Sequence, residues 1–124
     1  MPDDRRRQLG ATGEQLATDH LTRRGFEILE RNFRTRWGEL DVIATDGRVI
    51  AFCEVKTRVA RDTRRDPLES VHPRKQLQVR RMAAQWLRER PGRPRAAELR
   101  FDAIGVTLDP SGRLLALDHL EGCF

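Results

Sequence analysis

Charged side chains interrupt two apolar stretches that otherwise have the composition of buried β-strands. Asp41 stands between two apolar residues in the first stretch, and Glu54 and Lys56 flank Val55 in the second. Burying such charges without partners is costly. Carboxylates on adjacent strands would supply the hard oxygen ligands that Mg²⁺ or Mn²⁺ prefers, and the Lys could orient a water molecule or stabilise developing negative charge. The residue types therefore fit a metal site, and equally a buried Glu–Lys or Asp–Lys pair at the end of a sheet.

The two stretches form a predicted β-hairpin over residues 38–58. Asp46 and Gly47 lie between the apolar runs, and an Asp-Gly pair there favours a tight hairpin turn. Side chains alternate between the faces of a strand, so Glu54 and Lys56 are expected to point the same way. In the first strand of the hairpin, Leu40, Val42 and Ala44 are predicted to share one face, and Asp41 lies on the other.

The composition favours a polyanionic partner. The chain has 124 residues, of which 35% are charged, and its formal net charge is +5. Such a balance points to nucleic acid before membrane. No apolar run is long enough for a signal-peptide core or a membrane span, which predicts a cytoplasmic protein. Cys53 and Cys123 have neither zinc-ligand spacing nor the pattern of a disulfide framework.

Lysine is almost absent from this basic chain. Of the 24 basic residues, 22 are Arg, and Lys56 and Lys75 are the two exceptions. The ammonium of Lys is compact, whereas the guanidinium of Arg is planar and cannot replace it in a tight site. We therefore interpret the two lysines as candidates for site residues, with chance as the rival explanation.

The elements before the hairpin are a basic arm, a helix and a strand. Residues 1–8 are predicted to be a flexible arm and residues 9–124 a single domain. A helix is expected over residues 9–24, where Glu14 shares a stripe with apolar residues and borders the buried face. The alternating pattern of residues 26–36 predicts the first strand.

A loop, a second helix and two strands are predicted after the hairpin. The stretch to Val71 has no periodicity and is expected to be a mobile loop. Pro73 suits the first turn of a helix, on which Lys75 should point inward. Strands follow at residues 99–108 and 114–120, where Asp102 is expected to be structural and His119 a packed or surface residue. The order αβββαββ predicts an α/β domain with a central mixed five-stranded sheet flanked by helices.

Taken together, the motifs resemble those of the YraN family of bacterial proteins and, through it, the PD-(D/E)xK nuclease superfamily. The layout is also similar to that of archaeal Holliday junction resolvases. A lone ExK carries little weight, whereas the ordered set is specific and covers nearly the whole chain. The matching segments are Gly13-Glu14, Arg31-Asn32-Phe33-Arg34, Gly38-Glu39-Leu40-Asp41, Glu54-Val55-Lys56, residues 71–76, Arg100-Phe101-Asp102 and residues 119–124.

The resemblance implies a restriction endonuclease-like fold and a set of site residues. Asp41 and Glu54 would be ligands of Mg²⁺ or Mn²⁺, and Lys56 would be the catalytic lysine. Glu14 would be a further acidic catalytic residue, and Lys75 an auxiliary one. The residues expected to contact nucleic acid are Arg31, Arg34, Arg58, Arg61, Arg64 and Arg65.

Two functional hypotheses follow. The first is a metal-dependent endonuclease that hydrolyses phosphodiester bonds in DNA, with branched or otherwise structured DNA as the substrate. The second is a non-catalytic nucleic-acid-binding module with the same fold. The resolvases that share the layout are dimers, so a homodimer is a further expectation. If the site is real, Asp41, Glu54 and Lys56 should converge, Glu14 and Lys75 should approach from the helices, and the pKa of Asp41 or Glu54 should be raised. Asp41 and Glu54 on opposite faces of the sheet would exclude a nuclease, whereas Glu14 in solvent would only make the site smaller.

Overall fold

The computed structural model describes residues 2–60 and 73–123, with side chains described for residues 4–60 and 76–123. Its elements follow the order αβββαββ, which confirms the predicted α/β class. They are α1 (Pro2–Arg23), β1 (Glu27–Thr35), β2 (Gly38–Thr45), β3 (Val49–Val59), α2 (Pro73–Glu89), β4 (Glu98–Leu108) and β5 (Leu114–Leu120).

The strands form one mixed sheet in the order β1-β2-β3-β4-β5. Three of the four strand pairs are antiparallel, and β3 and β4 are parallel. A parallel pair needs a long crossover, and α2 lies within the one that joins β3 to β4. The prediction of a mixed five-stranded sheet is therefore confirmed.

The two helices pack on opposite faces of the sheet, and each covers its own hydrophobic cluster. The α1-side cluster contains Ala17, Leu21, Phe26, Val42, Ala44, Val49, Ala51, Cys53, Ile104, Val106 and Leu108. The α2-side cluster contains Phe33, Leu40, Ile43, Ile50, Phe52, Val79, Met82, Ala83, Trp86, Phe101 and Ala103. Successive residues of β3 divide between the two clusters, as the period of a strand buried on both faces requires. Neither helix in the described part of the chain combines the length and the apolar character needed to cross a membrane.

Helix α1 begins seven residues earlier than the sequence predicted. Residues 2–8 belong to the helix, so the prediction that the helix begins at residue 9, after a separate arm, is wrong. Asp4 lies in the first turn, where a carboxylate is stabilised by the helix dipole. The Arg5 guanidinium also donates a hydrogen bond to the carbonyl of Pro110, in the turn between β4 and β5. Residues 2–8 lack an apolar stripe, which is why periodicity did not predict these two helical turns.

The side chains of β2 do not alternate regularly between the two faces of the sheet along the whole strand. Leu40 packs in the α2-side cluster, whereas Val42 and Ala44 pack in the α1-side cluster. The prediction that these three side chains share a face is therefore wrong. Opposite Asp41, Asn32 on β1 has a φ of 54°, a left-handed conformation that Asn tolerates better than most residues. The change of face falls at this irregular pair.

A buried polar network joins α1 to β4 and β5. Asp102 is fully buried and accepts two hydrogen bonds of 2.9 Å from the guanidinium of Arg100. Nε2 of His119 lies 2.8 Å from the same carboxylate, and Nδ1 of His119 lies 3.0 Å from Nε2 of His20. Asp102 also accepts a hydrogen bond from the backbone N–H of Gly122. The structure thus gives Asp102 the structural role expected from the sequence and makes His119 a packed residue.

Candidate active site

The candidate site lies where β2 and β3 separate. The two strands pair from Thr45 and Ile50 to Val42 and Cys53, and beyond that pair no further partners join them. We call this opening the fork. Asp41 lies in the fork, and its Oδ2 accepts a hydrogen bond of 2.7 Å from the backbone N–H of Val55. The carboxylate thus occupies the place of a strand partner and satisfies a backbone donor that pairing would otherwise satisfy.

Three carboxylates meet at the fork. Glu14 on α1 and Glu39 and Asp41 on β2 each offer one oxygen, and these oxygens all lie within 4.8 Å of one another. All three side chains are half-buried. With its amide nitrogen facing the carboxylates, Asn32 donates to Glu14 Oε2 at 3.0 Å and to Glu39 Oε1 at 2.8 Å. This carboxylate cluster therefore contains side chains from two elements, α1 and β2, and concentrates negative charge in a small volume.

Gly13 allows α1 to come close enough for Glu14 to reach the fork. A Cβ atom at this position would lie 1.9 Å from Oγ1 of Thr57 and 2.9 Å from its Cβ and Cγ2. Thr57 is on β3, three residues beyond Glu54, so the contact places the helix over the C-terminal half of that strand. The small residue before Glu14 is thus a requirement of the site geometry.

Glu54 and Lys56 approach the fork from the other face of the sheet. Val55 packs against the α1-side cluster and Phe52 lies in the α2-side cluster, so alternation places Glu54 and Lys56 on the α2 side. Nζ of Lys56 lies 3.1 Å from Oε1 of Glu54, and the two side chains are 35% and 10% exposed. Asp41 binds the β3 backbone at Val55, and the charges of both Glu14 and Glu54 act on its carboxyl group.

Burial and neighbouring negative charges raise the pKa values of two carboxyl groups at this site, Asp41 and Glu14. Burial raises the pKa of Asp41 to about 7, the charges of Glu14, Glu54 and Glu39 add to the increase, and the hydrogen bond from Val55 opposes it. Burial, followed by the charge of Glu39, also raises the pKa of Glu14. The carboxylate cluster is therefore destabilised in its fully ionised form, which is the form that a cation would stabilise.

The donor set fits a hard divalent cation. All the ligand atoms are carboxylate oxygens, which suit Mg²⁺ or Mn²⁺ better than a metal that prefers sulfur or imidazole. Oxygens that share one octahedral Mg²⁺ ion are about 3.0 Å apart in adjacent positions and at most about 4.2 Å apart in opposite ones, since each bond is about 2.1 Å long. The oxygens of the carboxylate cluster lie within 4.8 Å of one another, so they would have to move closer together to bind one ion. Glu14, Glu39 and Asp41 could hold such an ion after small side-chain movements.

The structure brings most of the predicted catalytic residues to the fork. Glu14 and Asp41 meet within the carboxylate cluster, and Glu54 and Lys56 form an ion pair beside it. Lys75 lies in the first turn of α2, and its side chain is outside the described residues. The sequence-predicted ligand pair was Asp41 and Glu54, whereas the oxygens that group around Asp41 belong to Glu14 and Glu39.

The arginines expected to bind nucleic acid divide into two groups. Arg31 and Arg34 lie on β1 next to the carboxylate cluster, where Arg31 lowers the pKa of Glu14 and Nε of Arg34 lies 3.2 Å from Glu39 Oε2. Arg34 is 85% exposed in its side chain and so remains open to a ligand. Arg58 is half-buried on β3. The predictions for Arg61, Arg64 and Arg65 fall outside the described residues.

Sequence reasoning missed two residues of the site, Glu39 and Asn32. Both lie in segments that match the YraN motifs, but neither was predicted to belong to the catalytic site. Glu39 precedes Asp41 by two residues, so the period of a strand was a signal that the two carboxylates could share a side. For Asn32 the only signal was the tolerance of Asn for left-handed backbone.

The mixed sheet with one helix on each face, and acidic residues at the fork between its second and third strands, defines a restriction endonuclease-like α/β protein. Residues 13–106 match the model of the uncharacterised protein family UPF0102. The chain belongs to this family, which is the YraN family predicted from the motifs. The matched region contains the whole carboxylate cluster together with Glu54 and Lys56.

Relatives align with this chain over almost its full length. A UPF0102 protein from Mycobacterium tuberculosis strain H37Ra is 48% identical over 119 residues, which cover 93% of this chain and 91% of the relative. A UPF0102 protein from Frankia alni is 44% identical over 117 residues, covering 94% of this chain and 93% of the relative. A UPF0102 protein from Mycolicibacterium vanbaalenii is 43% identical with the same coverage.

Proposed function

We propose that this protein is a Mg²⁺- or Mn²⁺-dependent endonuclease that hydrolyses phosphodiester bonds in branched or otherwise structured DNA. The observation that carries the proposal is the meeting of Glu14, Glu39 and Asp41 within 4.8 Å, beside the ion pair of Glu54 and Lys56. A structural role accounts poorly for this arrangement, because three half-buried carboxylates repel one another and lower the stability of the fold. A site that binds a cation and a phosphate accounts for it.

The carboxylates would hold the metal, and the metal would supply the Lewis acidity that a phosphodiester requires. Asp41 is the natural centre of the ligand set, since the charges of both Glu14 and Glu54 act on it. Its bond to the Val55 N–H fixes Oδ2 and leaves Oδ1 for a ligand. The family resemblance adds Glu54 as the expected partner ligand, and the geometry adds Glu14 and Glu39.

Lys56 would act on the substrate. Glu54 holds its ammonium at 3.1 Å, while the 35% exposure of the side chain leaves it accessible to a bound phosphate. From this position the ammonium can orient a water molecule towards phosphorus, or stabilise the negative charge that develops on a phosphate oxygen. The exposed guanidinium of Arg34 would bind a neighbouring backbone phosphate, and so would that of Arg31.

The proposal is tested with purified protein and a panel of DNA substrates. Four-way junctions, flaps, single strands and linear duplexes of matched sequence are incubated with Mg²⁺, with Mn²⁺ or with EDTA. We expect metal-dependent cutting of at least one structured substrate, with a loss of about 100-fold or more in Asp41→Asn and Lys56→Met. The matched control is Glu98→Gln, which should retain full activity. Glu98 is exposed and lies at the end of β4 that is far from Glu54 and Lys56.

Cutting that survives in EDTA, or that persists in Asp41→Asn, refutes the mechanism. DNA binding without any cutting supports instead the non-catalytic binding module, the second hypothesis from the sequence. In that case Asp41→Asn should leave binding unchanged or tighter, because the substitution removes negative charge next to the phosphates.

A further inference from the structure

Among the Trp and Phe side chains that the structure describes, that of Trp37 is the one that is not buried. The others are exposed by 9% or less: Phe26, Phe33, Phe52, Trp86 and Phe101. Trp37 lies with Arg36 in the two-residue loop that joins β1 to β2, between the paired residues Thr35 and Gly38. Hairpin loops of this length favour Asn, Asp or Gly, so a large indole beside a guanidinium at this position calls for an explanation.

Two guanidinium groups lie on the indole of Trp37. Cζ of Arg36 is 4.6 Å from the ring centroid, and Cζ of Arg81, on α2, is 6.0 Å from it. Both arginines are exposed, and in the described part of the chain neither forms an ion pair with a carboxylate. Their positive charge is therefore available to an anion that approaches the ring.

Hydrogen bonds hold this loop in one position. The backbone N–H of Trp37 donates to Oγ1 of Thr35 at 3.1 Å, and the same hydroxyl donates to the carbonyl of Gly38 at 3.0 Å. The side-chain amide of Gln78, on α2, donates to the carbonyl of Trp37. The indole also packs against the α2-side cluster. Because the ring is held in place before any ligand arrives, a flat group that stacks on it pays little to order the protein.

The loop lies at the end of β2 at which the fork opens. Strand β2 pairs with β3 from Val42 to Thr45, and residues 38–41, which lie beyond that pairing, lead back to Trp37. Asp41 is four residues from Trp37, a path of roughly 13 Å along an extended strand. A DNA strand with a phosphate at the fork could therefore place a nearby base on the indole.

We propose that Trp37 stacks on an unpaired base of the DNA and that Arg36 and Arg81 bind the phosphates next to that base, an inference that rests on the proposed function. Proteins that bind single-stranded nucleic acid combine aromatic side chains with a positively charged surface in this way. Base–aromatic stacking is stronger than an exposed cation–π contact. A base therefore displaces a guanidinium from the ring, and the guanidinium moves to a phosphate.

This stacking narrows the substrate class of the fork. The faces of a base inside a duplex are already covered by its neighbours, so only an unpaired base can offer a face to Trp37. The substrate is then DNA with unpaired bases close to the phosphate that is cut, such as a flap or a single-stranded gap. A four-way junction whose bases are all paired should be a poorer substrate.

DNA binding measured in EDTA tests the stacking without any cleavage. Trp37→Ala should weaken binding of a short oligothymidine by about 5- to 150-fold and binding of a linear duplex of the same length by less than about 2-fold. The matched control is Leu115→Ala, which should leave both affinities unchanged. Leu115 is apolar, 57% exposed and on β5, at the opposite edge of the sheet from β1.

A second variant separates stacking from packing. Trp37→Leu keeps an apolar side chain against the α2-side cluster but removes the aromatic ring. It should lose affinity for oligothymidine as Trp37→Ala does, and circular dichroism should show that it is folded. If Trp37→Ala does not fold, Trp37→Leu decides the question by itself.

Tryptophan fluorescence gives a direct signal of the stacked base. The chain has two tryptophans, and Trp86 is 2% exposed and donates a hydrogen bond of 2.9 Å to Glu30. Oligothymidine should therefore quench the emission of Trp37 in the unmodified chain and leave the emission of Trp37→Phe, which comes from Trp86, unchanged.

Three results would overturn the inference. The first is a Trp37→Leu variant that binds oligothymidine as tightly as the unmodified chain, and the second is an equal loss of single-strand and duplex binding. The third is binding of oligothymidine without quenching. None of these measurements needs metal or cutting. A chain that shows the quenching and the single-strand preference but cuts no DNA supports the stacking and counts against the proposed catalysis alone.

Discussion

Adding one methyl group at Gly13 should separate Glu14 from the rest of the site. The new Cβ would lie 1.9 Å from Thr57 Oγ1, and rotation of the Thr57 side chain could move that oxygen away. The Cβ atom of Thr57 would still be only 2.9 Å away, against an ordinary carbon–carbon contact of about 3.5–4.0 Å. Helix α1 must therefore shift away from β3 by roughly 0.5–1 Å. Glu14 would move with it.

The size of the effect follows from two opposed contributions. Overpacking costs about 1–3 kcal/mol, and replacing Gly by Ala inside a helix recovers about 0.5–1 kcal/mol. Gly13→Ala should therefore lower the free energy of unfolding by about 0–2.5 kcal/mol. Gly10→Ala is the matched control in the same helix, because a Cβ there meets no atom within 4 Å. The control should gain about 0.5–1 kcal/mol in stability.

Urea unfolding followed by far-UV circular dichroism measures both variants, and the cleavage assay measures the site. A displacement of about 1 Å at a catalytic group can cost about 100-fold in rate, so Gly13→Ala should lose activity while Gly10→Ala keeps it. Adding Thr57→Ala to Gly13→Ala removes Oγ1 and Cγ2 but leaves Cβ, and should restore part of the lost stability. Equal stability of Gly13→Ala and Gly10→Ala would refute the close approach of α1 to the fork.

Three further outcomes are expected. Because the pKa of Asp41 is raised from 3.8 to about 7, the folded state binds a proton that the unfolded state has lost, and the protein loses stability as the pH rises through that interval. Asp41→Asn should remove this loss and be more stable than the unmodified chain above pH 7 by up to about 4 kcal/mol, which urea unfolding at pH 4.5 and pH 8 would measure. Arg31→Gln should weaken DNA binding and reduce the steepness of the plot of log affinity against log salt by about 1. Arg88→Gln, in the last turn of α2, should leave both unchanged, and fluorescence anisotropy at several salt concentrations measures both variants. Asp102→Asn should destabilise the fold by about 3–5 kcal/mol, because it leaves the cation of Arg100 without its buried carboxylate; a thermal melt close to that of the unmodified chain would contradict this.

The local signals in the sequence were sufficient for most of the elements. The Asp46-Gly47 turn, the break after Glu89 and the turn after Leu108 each lie between segments with a clear period, and the structure places strands and helices there. Such signals act within a few residues and need no knowledge of the rest of the chain. The start of α1 was missed because residues 2–8 have no apolar face, and a contact with the distant carbonyl of Pro110 is among the interactions that position them.

The sequence by itself also determined which chemistry the chain carries: acidic residues and a lysine in apolar strands, within a basic protein, in the order of the YraN motifs. Tertiary structure decided which of them meet. The change of face at Asp41 lies opposite the left-handed backbone of Asn32 in a neighbouring strand, and the approach of Glu14 depends on the absence of a side chain at Gly13 against Thr57. Glu39 joins the cluster, and Glu54 lies across the fork, because β2 and β3 stop pairing at Val42 and Cys53. Those contacts join residues that are far apart in the chain. A periodic sequence pattern predicts only the face on which a residue lies, and it does not predict where two strands separate.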